Sequence, residues 1–240
     1  MRYGEEGLID ETENRLRYII GLDLGQASDY SAMSFVEMHT AGESKPTFDV
    51  TYLHRWPLGT PYPKIVEGVG KLLSEDRFMR RMYGGRYTED HKVLRHPVTL
   101  AVDATGVGRP VVDMFRDAHL PGSLQSITIT GGHEATSASG GYNVPKRLLV
   151  STLQVALQTK RLKIAAALPE AATLKTELQN FQLTITESAN DTYEGRKGTH
   201  DDLVLAVALS LWSGQHGNTT VTNSERALAA MMTDRNRWMG

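Results

Sequence analysis

The chain has 240 residues, which suits one large domain or one domain with appendages. Its 40% hydrophobic content is enough for a substantial core, and 26 basic against 28 acidic residues give a formal net charge of −2. Nucleic-acid binding is therefore not indicated by overall charge and would need a local basic surface. The lack of cysteine excludes disulfides and thiolate zinc sites but leaves oxygen-ligated metals open.

Neither the start of the chain nor its apolar runs indicate a secreted or membrane-spanning protein. No apolar run approaches the roughly 20 residues of a membrane span. Residues 1–17 are polar and acid-rich, without the apolar core of a signal peptide. We therefore expect an intracellular protein that is not secreted, with this segment as a leader or linker remnant.

The first part of the chain predicts three strands and a helix. Apolar runs over residues 18–24 and 30–38, and an alternating pattern over 48–56, predict strands with short polar connections, as in an antiparallel meander. Apolar residues at helical spacing over 62–73 predict a helix. Residues 77–97 are a polar, arginine-rich insertion with no predicted element.

The later part alternates strands with helices. A continuous apolar run at 98–103 predicts a strand buried on both faces, and another strand is expected near 124–129. A loop of small residues follows at 131–143. Helices are predicted from Pro110 onward and over residues 145–160, 169–181 and 201–213, with a hairpin formed by 181–187 and 193–196.

This chain order predicts a mixed α/β domain of the ribonuclease H-like type. We expect a mixed five-stranded sheet (three antiparallel strands, then parallel strands) flanked by helices, with the added β-hairpin. The domain should span residues 18–213, followed by a polar tail over 214–240 with a short helix near 224–233. In this fold the fourth strand lies parallel beside the first, which would bring Asp23 and Asp103 together.

Aspartates stand where three of these elements begin or end. Asp23 and Asp103 each close an apolar strand, and Asp201 and Asp202 open the last helix. A buried carboxylate without a partner costs several kcal/mol, so each strand-end acid requires a partner. Structural explanations also exist: Asp23 as a turn cap, Asp202 in a capping box with Thr199, and Asp201 favoured by the helix dipole.

Converging carboxylates suit a divalent metal. Mg²⁺ and Mn²⁺ prefer hard oxygen ligands and leave part of their shell to water and phosphate oxygens. Two such ions about 3.5–4 Å apart can activate an attacking water and stabilise the leaving oxygen of a phosphodiester. The acids of the three elements therefore predict a nuclease site.

Four sequence motifs accompany these acids: IGLD at 20–23 with DYSA at 29–32, VDATGVG at 102–108, YNVPK at 142–146, and HDDLVLA at 200–206. Together they resemble a known family, the nuclease domain of the large terminase subunit of tailed bacteriophages. The similarity covers about residues 18–213, and its most specific parts are the VPK of the third motif and the whole of the fourth.

The resemblance implies cleavage of double-stranded DNA by a two-metal mechanism during viral genome packaging. It implies Mg²⁺ or Mn²⁺, two ions per site, held by Asp23, Asp103 and Asp201 with Asp202 assisting. Asp29 and His200 would lie beside these ligands. Implied partners are the terminase ATPase motor, the portal and the small terminase subunit, at the packaging machine in the host cytoplasm.

Local basic residues are the candidates for DNA contact. Lys146 follows Pro145 at a predicted helix start, where backbone amides and a positive charge suit a phosphate; an exposed helix lysine is the alternative. Arg147, Arg196 and Lys197 are the other expected phosphate ligands.

Other readings share parts of this pattern. A Holliday-junction resolvase or transposase-like nuclease would use the same fold and metals on another substrate, and a non-catalytic DNA-binding module is a further alternative. An actin-like or sugar-kinase-like ATP-binding fold would need a second domain and a second phosphate turn. The sequence has no Walker-type phosphate loop, so we do not expect this chain to drive DNA translocation.

Overall fold

The computed structural model describes residues 15–25, 29–42, 44–83, 97–138, 140–187 and 200–216. The strands are β1 (Arg15–Asp23), β2 (Ala32–Thr40), β3 (Thr47–Arg55), β4 (Val98–Asp103), β5 (Ser123–Thr130), β6 (Thr136–Ala138), β7 (Gly141–Pro145) and β8 (Leu162–Ile164). The helices are α1 (Tyr62–Leu73), α2 (Asp76–Tyr83), α3 (Gly108–Asp117), α4 (Lys146–Gln158), α5 (Ala171–Glu187) and α6 (Asp202–His216).

The strands form a single mixed sheet in the order β6-β7-β5-β4-β1-β2-β3-β8. Strand β2 is antiparallel to both β1 and β3, whereas β4 is parallel to both β1 and β5. The fourth strand thus lies parallel beside the first, as the ribonuclease H-like fold requires. The predicted fold class is confirmed.

The sheet is wider than the five strands predicted from the sequence. Strand β8 adds to β3 at one edge, and the expected loop at 131–143 instead contains the short hairpin β6–β7, with β7 parallel to β5. Strands β6 and β8 have three residues each, too few for an alternating pattern to be recognised.

The hairpin predicted around residues 181–196 is wrong in its first half. Residues 181–187 continue helix α5 without a break. Alternating apolar and polar residues from Phe181 onward favoured a strand. Strand propensity depends strongly on context, however, and here the segment extends the helix that precedes it. Residues 193–196 lie outside the described part of the chain, as do the predicted leader up to residue 14 and the tail helix at 224–233.

The arginine-rich insertion begins with an unpredicted helix. Helix α2 buries Phe78, Met79 and Met82 on one face while its arginines face outward. Because these three buried residues stand in a mostly polar segment, their helical spacing is easily missed in the sequence. None of the helices in the described residues has the length and apolar character that crossing a membrane requires.

Two hydrophobic cores lie on opposite faces of the sheet. Alternation along β1 sends Tyr18, Ile20 and Leu22 into the core shared with α1, α2 and α3. Ile19 belongs to the other core, which contains α4, α5 and α6. The same alternation places Gly21 and Asp23 on the α6 face. Asp103 shares that face because Ala101, two residues earlier in β4, belongs to the α6 core.

Helix α6 is the central helix of the second core. All residues from Asp202 to Gly214 are buried, which explains a sequence that is apolar all round. The helix approaches β1 so closely that a Cβ added at Gly21 would overlap the carbonyl oxygen of Ala206 and lie 2.6 Å from the Ser210 Oγ. Glycine at position 21 therefore sets the distance between the sheet and the helix that carries Asp201 and Asp202.

We predict that Gly21→Ala destabilises the protein by roughly 3 kcal/mol, because the overlap is with backbone and α6 must move away from the sheet. The free energy of unfolding can be measured by urea denaturation. Gly131→Ala is the matched control, since an added Cβ there meets nothing within 4 Å. Equal stability of the two variants would contradict the close packing of α6 on β1.

Candidate metal centre

Asp23 and Asp103 lie side by side at the carboxyl ends of adjacent parallel strands. The pairing of Leu22 with Val102 places the two aspartates at the next position of each strand. Both residues are only 7% exposed. Their carboxyl groups are close enough to share a hydrogen bond. The juxtaposition expected from the fold is therefore present.

Burial and mutual repulsion disfavour ionisation of this pair. The pKa of Asp23 is raised well above its ordinary value, first by burial and then by the charges of Asp103, Asp202 and Asp201. Burial also raises the pKa of Asp103, although hydrogen bonds from Thr105 and Asp23 and the charge of Lys146 oppose the shift. The negative charges of β1, β4 and the start of α6 thus act on one another.

A short turn fixes the orientation of Asp103. The backbone N–H of Thr105 donates to Oδ1 of Asp103 at 2.7 Å, and the Thr105 Oγ1 accepts from the N–H of Ile129 at 2.7 Å. The turn is therefore tied both to the carboxylate and to β5. Thr105 was not singled out in the sequence, although it lies within the VDATGVG motif.

Asp201 immediately precedes α6 and pairs with a lysine. The Lys146 Nζ, at the start of α4, donates to Oδ2 of Asp201 at 3.0 Å and lies 5.7 Å from the centre of the Phe181 ring. The structure thus places Lys146 at the acidic site itself. Its predicted contact with a DNA phosphate stays a prediction.

Asp202, the first residue of α6, is the most enclosed acid of this helix. Its side chain is 5% exposed, and its Oδ2 is buried without a hydrogen-bond partner. Burial first, and then the charge of Asp201, raise the pKa of Asp202 to about 6. A buried acceptor without a donor indicates that something is needed to balance it, for which a cation is suited.

Two functional candidates escaped the sequence analysis, Glu177 of α5 and Arg55 at the end of β3. The Glu177 side chain is 5% exposed and lies 3.7 Å from the Arg55 guanidinium. Burial raises the pKa of Glu177 to about 7. The signal was present in the sequence: Glu177 falls on the apolar stripe of α5 formed by Leu174 and Leu178.

The remaining predicted site residues are at the edge of the site or beyond the described chain. Asp29 is exposed, but its charge acts on Asp202. The His200 ring lies 3.9 Å from the Asp202 carboxylate and packs edge-on against Tyr30. Arg147 donates to the carbonyl oxygen of His133 at 2.7 Å, which links α4 to the turn before β6. Arg196 and Lys197 lie outside the described residues.

A cleft of about 430 Å³ opens at the same end of the sheet. It lies between the turns that follow β1, β3 and β4, and Gly25, Thr60 and Gly106 are among its lining residues. Gly25 and Gly106 are two and three residues after the paired aspartates, but neither Asp23 nor Asp103 is among the lining residues of the cleft.

The donor chemistry of the site fits an oxygen-preferring divalent ion. The four aspartates offer carboxylate oxygens only, the Asp23–Asp103 pair is under charge repulsion, and Asp202 has a buried oxygen without a hydrogen-bond partner. Within the described residues, however, no group of three or more His, Asp or Glu side chains comes together so as to hold an ion. The Asp201 carboxylate forms an ion pair with Lys146 instead. The ligand set therefore stays a prediction.

Comparison with known proteins adds two likenesses of fold. The human cytomegalovirus terminase nuclease domain (Mn-soaked, inhibitor-bound) has 9% identity and a TM-score of 0.44, and the match covers 84% of each chain. The Thermus thermophilus RuvC structure has 8% identity and a TM-score of 0.35, and the match covers 84% of this chain and 97% of that one. No protein-family model and no curated protein matches the sequence. At such identities and TM-scores, the two likenesses assign no activity to this chain.

The raised carboxyl pKa values predict how stability depends on pH without metal. An acid whose pKa is higher in the folded than in the unfolded state binds its proton more tightly when folded. Stability should therefore fall as pH rises from about 4, the unfolded value, through the raised pKa values. Those of Asp202 and Glu177 are about 6 and about 7. We expect the metal-free melting temperature to decline across this range.

Asp23→Asn tests the cause of this decline. Removing one of the repelling carboxylates should raise the free energy of unfolding at alkaline pH by roughly 1 kcal/mol, as relief of functional-site strain commonly does. Asp113→Asn is the control, because Asp113 is 55% exposed and pairs with Arg116 on α3. A melting temperature that rises steadily over the same pH range in EDTA would contradict the account.

Proposed function

We propose that this protein is a divalent-metal-dependent endonuclease that cleaves double-stranded DNA. The observation that carries the proposal is the meeting of Asp23 and Asp103 at the ends of two adjacent buried strands, where the charges of Asp201 and Asp202 at the start of α6 also act on Asp23. A buried, mutually repelling set of carboxylates is costly to stability, and a metal site offsets that cost.

Each residue would have a separate task. Asp23, Asp103, Asp201 and Asp202 would hold Mg²⁺ or Mn²⁺, with two ions expected per site. When bound, the ions would activate water and stabilise the leaving oxygen of the phosphodiester. The Thr105 amide holds the Asp103 carboxylate in place before any ion binds. Asp29 and His200 border this set. A positive charge on His200 would favour the ionised form of Asp202.

The packaging role rests on the motif resemblance. The four motifs of terminase type predict that the nuclease acts with an ATPase motor, a portal and a small terminase subunit in an infected cell. Since this sequence lacks a phosphate loop, the motor would lie outside it, either in another part of a longer protein or in a separate polypeptide. A Holliday-junction resolvase is the alternative, and a four-way junction substrate separates the two.

We expect plasmid DNA to be cleaved with Mn²⁺ or Mg²⁺ and to stay intact in EDTA. Asp23→Asn, Asp103→Asn and Asp201→Asn should each lower the cleavage rate by roughly two or more orders of magnitude. A loss of this size is expected when charge stabilisation of the transition state is removed. The rate is measured on supercoiled plasmid, linear duplex and a four-way junction in parallel.

Asp113→Asn again serves as the control, since this exposed aspartate lies on the other face of the sheet. Circular dichroism should show that all variants fold. Near wild-type cleavage by two or more of the folded site variants would remove the proposed mechanism, and preference for the junction over duplex would favour the resolvase.

Lys146→Ala should lower cleavage and flatten the salt dependence of DNA binding by about one counterion, if the lysine turns from Asp201 to a phosphate when DNA binds. Since the substitution also frees a carboxylate oxygen of Asp201, Mn²⁺ affinity should not fall. Binding is measured in Ca²⁺ over a salt series, with exposed Lys163 on β8 changed to alanine as the control. An unchanged salt dependence of DNA binding together with an unchanged cleavage rate would show that Lys146 does not contact a DNA phosphate.

A further inference from the structure

We propose that Glu177 is a positioning residue for the metal centre. Its carboxylate caps the first turn of α6, so that neither Asp201 nor Asp202 has to serve as that cap. The inference rests on the proposed function and deepens it, because it assigns a task to a residue outside the terminase-like motifs.

The cap is formed across two helices. Oε2 of Glu177 accepts from the backbone N–H of Leu203 at 3.0 Å and from that of Val204 at 3.1 Å. The first N–H groups of a helix have no partner within the helix and need one when they are buried. Helix α5 therefore supplies the acceptor that α6 needs.

The usual source of such a cap is an aspartate at the helix start. Here Asp201 stands at that position, yet its Oδ2 accepts from Lys146. Oδ2 of Asp202 has no hydrogen-bond partner at all. Asp201 is thus spared the capping role that its position would otherwise give it, and the charges of both Asp201 and Asp202 act on Asp23.

A neutral hydrogen-bond acceptor in place of the Glu177 carboxylate could cap α6 at a lower cost in desolvation. Glu177 is 5% exposed, and burial of a carboxylate costs several kcal/mol unless charge and hydrogen bonds compensate. Compensation comes from Arg55, whose guanidinium lies 3.7 Å from Oε1 of Glu177 and 4.2 Å from the centre of the Tyr30 ring. The Glu177 carboxyl group thereby joins α6 to the end of β3 and to the segment beside Asp29.

This linkage fixes α6 relative to the sheet at the end where the acids lie. Without it, the first turn can fray while the remainder of α6 stays packed in the core. Fraying would move Asp201 and Asp202 without unfolding the protein. Partners of this kind, which hold ligands in place, commonly affect metal affinity about 10–100-fold when removed.

The test is Mn²⁺ binding by the full chain without DNA, measured by isothermal titration calorimetry. Glu177→Met keeps the volume but removes the acceptor, and Glu177→Asp keeps the charge but is too short to reach both amides. Both should weaken Mn²⁺ binding about tenfold or more. Glu177→Gln retains an acceptor oxygen and should stay within about threefold of wild type, since the hydrogen bonds matter more than the charge.

Ser34→Ala is the matched control. The Ser34 Oγ donates to the Ala206 carbonyl oxygen at 2.9 Å and also hydrogen-bonds with the Ser210 Oγ at 2.9 Å, so this change removes two buried hydrogen bonds to the middle of the same helix. It should lower the melting temperature yet leave Mn²⁺ affinity within about twofold, because the first turn is untouched. Hydrogen exchange should show faster amide exchange at Leu203 and Val204 in the Met and Asp variants only.

The outcomes separate the two proposals. A wild-type protein that binds no Mn²⁺ would overturn the metal-dependent function, and the positioning role with it. Wild-type Mn²⁺ affinity in the folded Met and Asp variants would overturn the positioning role alone. If Glu177→Met does not fold, Glu177→Asp decides by the same criterion.

Discussion

Repulsion among buried carboxylates is the constraint on which the rest of this structure depends. Asp23 and Asp103 are each 7% exposed and stand next to each other on parallel strands. Asp202 is also buried and has an oxygen without a hydrogen-bond partner. Interactions at such a site are strong because little water screens them, so the arrangement is tolerable only with protons or cations to balance it. Lys146 supplies one positive charge, and a divalent ion would supply the rest.

The surrounding fold serves to keep these acids together. Glycine at position 21 lets α6 lie almost directly on β1, and the burial of α6 on all sides prevents it from shifting as a whole. The first turn, where Asp201 and Asp202 lie, is held separately by Glu177 and Arg55. The packing of these elements stabilises the fold, and repulsion among the buried acids offsets part of that stability. Such a loss of stability is common at functional sites.

The parts of this arrangement that sequence predicted are those with a strong local signal. The apolar strand at 98–103 and the spacing over 62–73 gave the right elements, and chain order gave the parallel pairing of β1 with β4. The position of Glu177 on an apolar stripe indicated its burial, but its capping role could not be predicted, because its partners Leu203 and Val204 are 26 and 27 residues away in the chain. Lys146 was found as a candidate, but its contact with Asp201 depends on how α4 packs beside α6, which local patterns do not encode.

The central claim is that Asp23, Asp103 and the acids of α6 share a divalent ion. The most direct measurement is the anomalous diffraction of a crystal soaked in Mn²⁺. The account predicts an anomalous peak in contact with carboxylate oxygens of both Asp23 and Asp103, with at least one acid of α6 turned toward it. A fully soaked crystal with no anomalous peak beside Asp23 and Asp103 would contradict it.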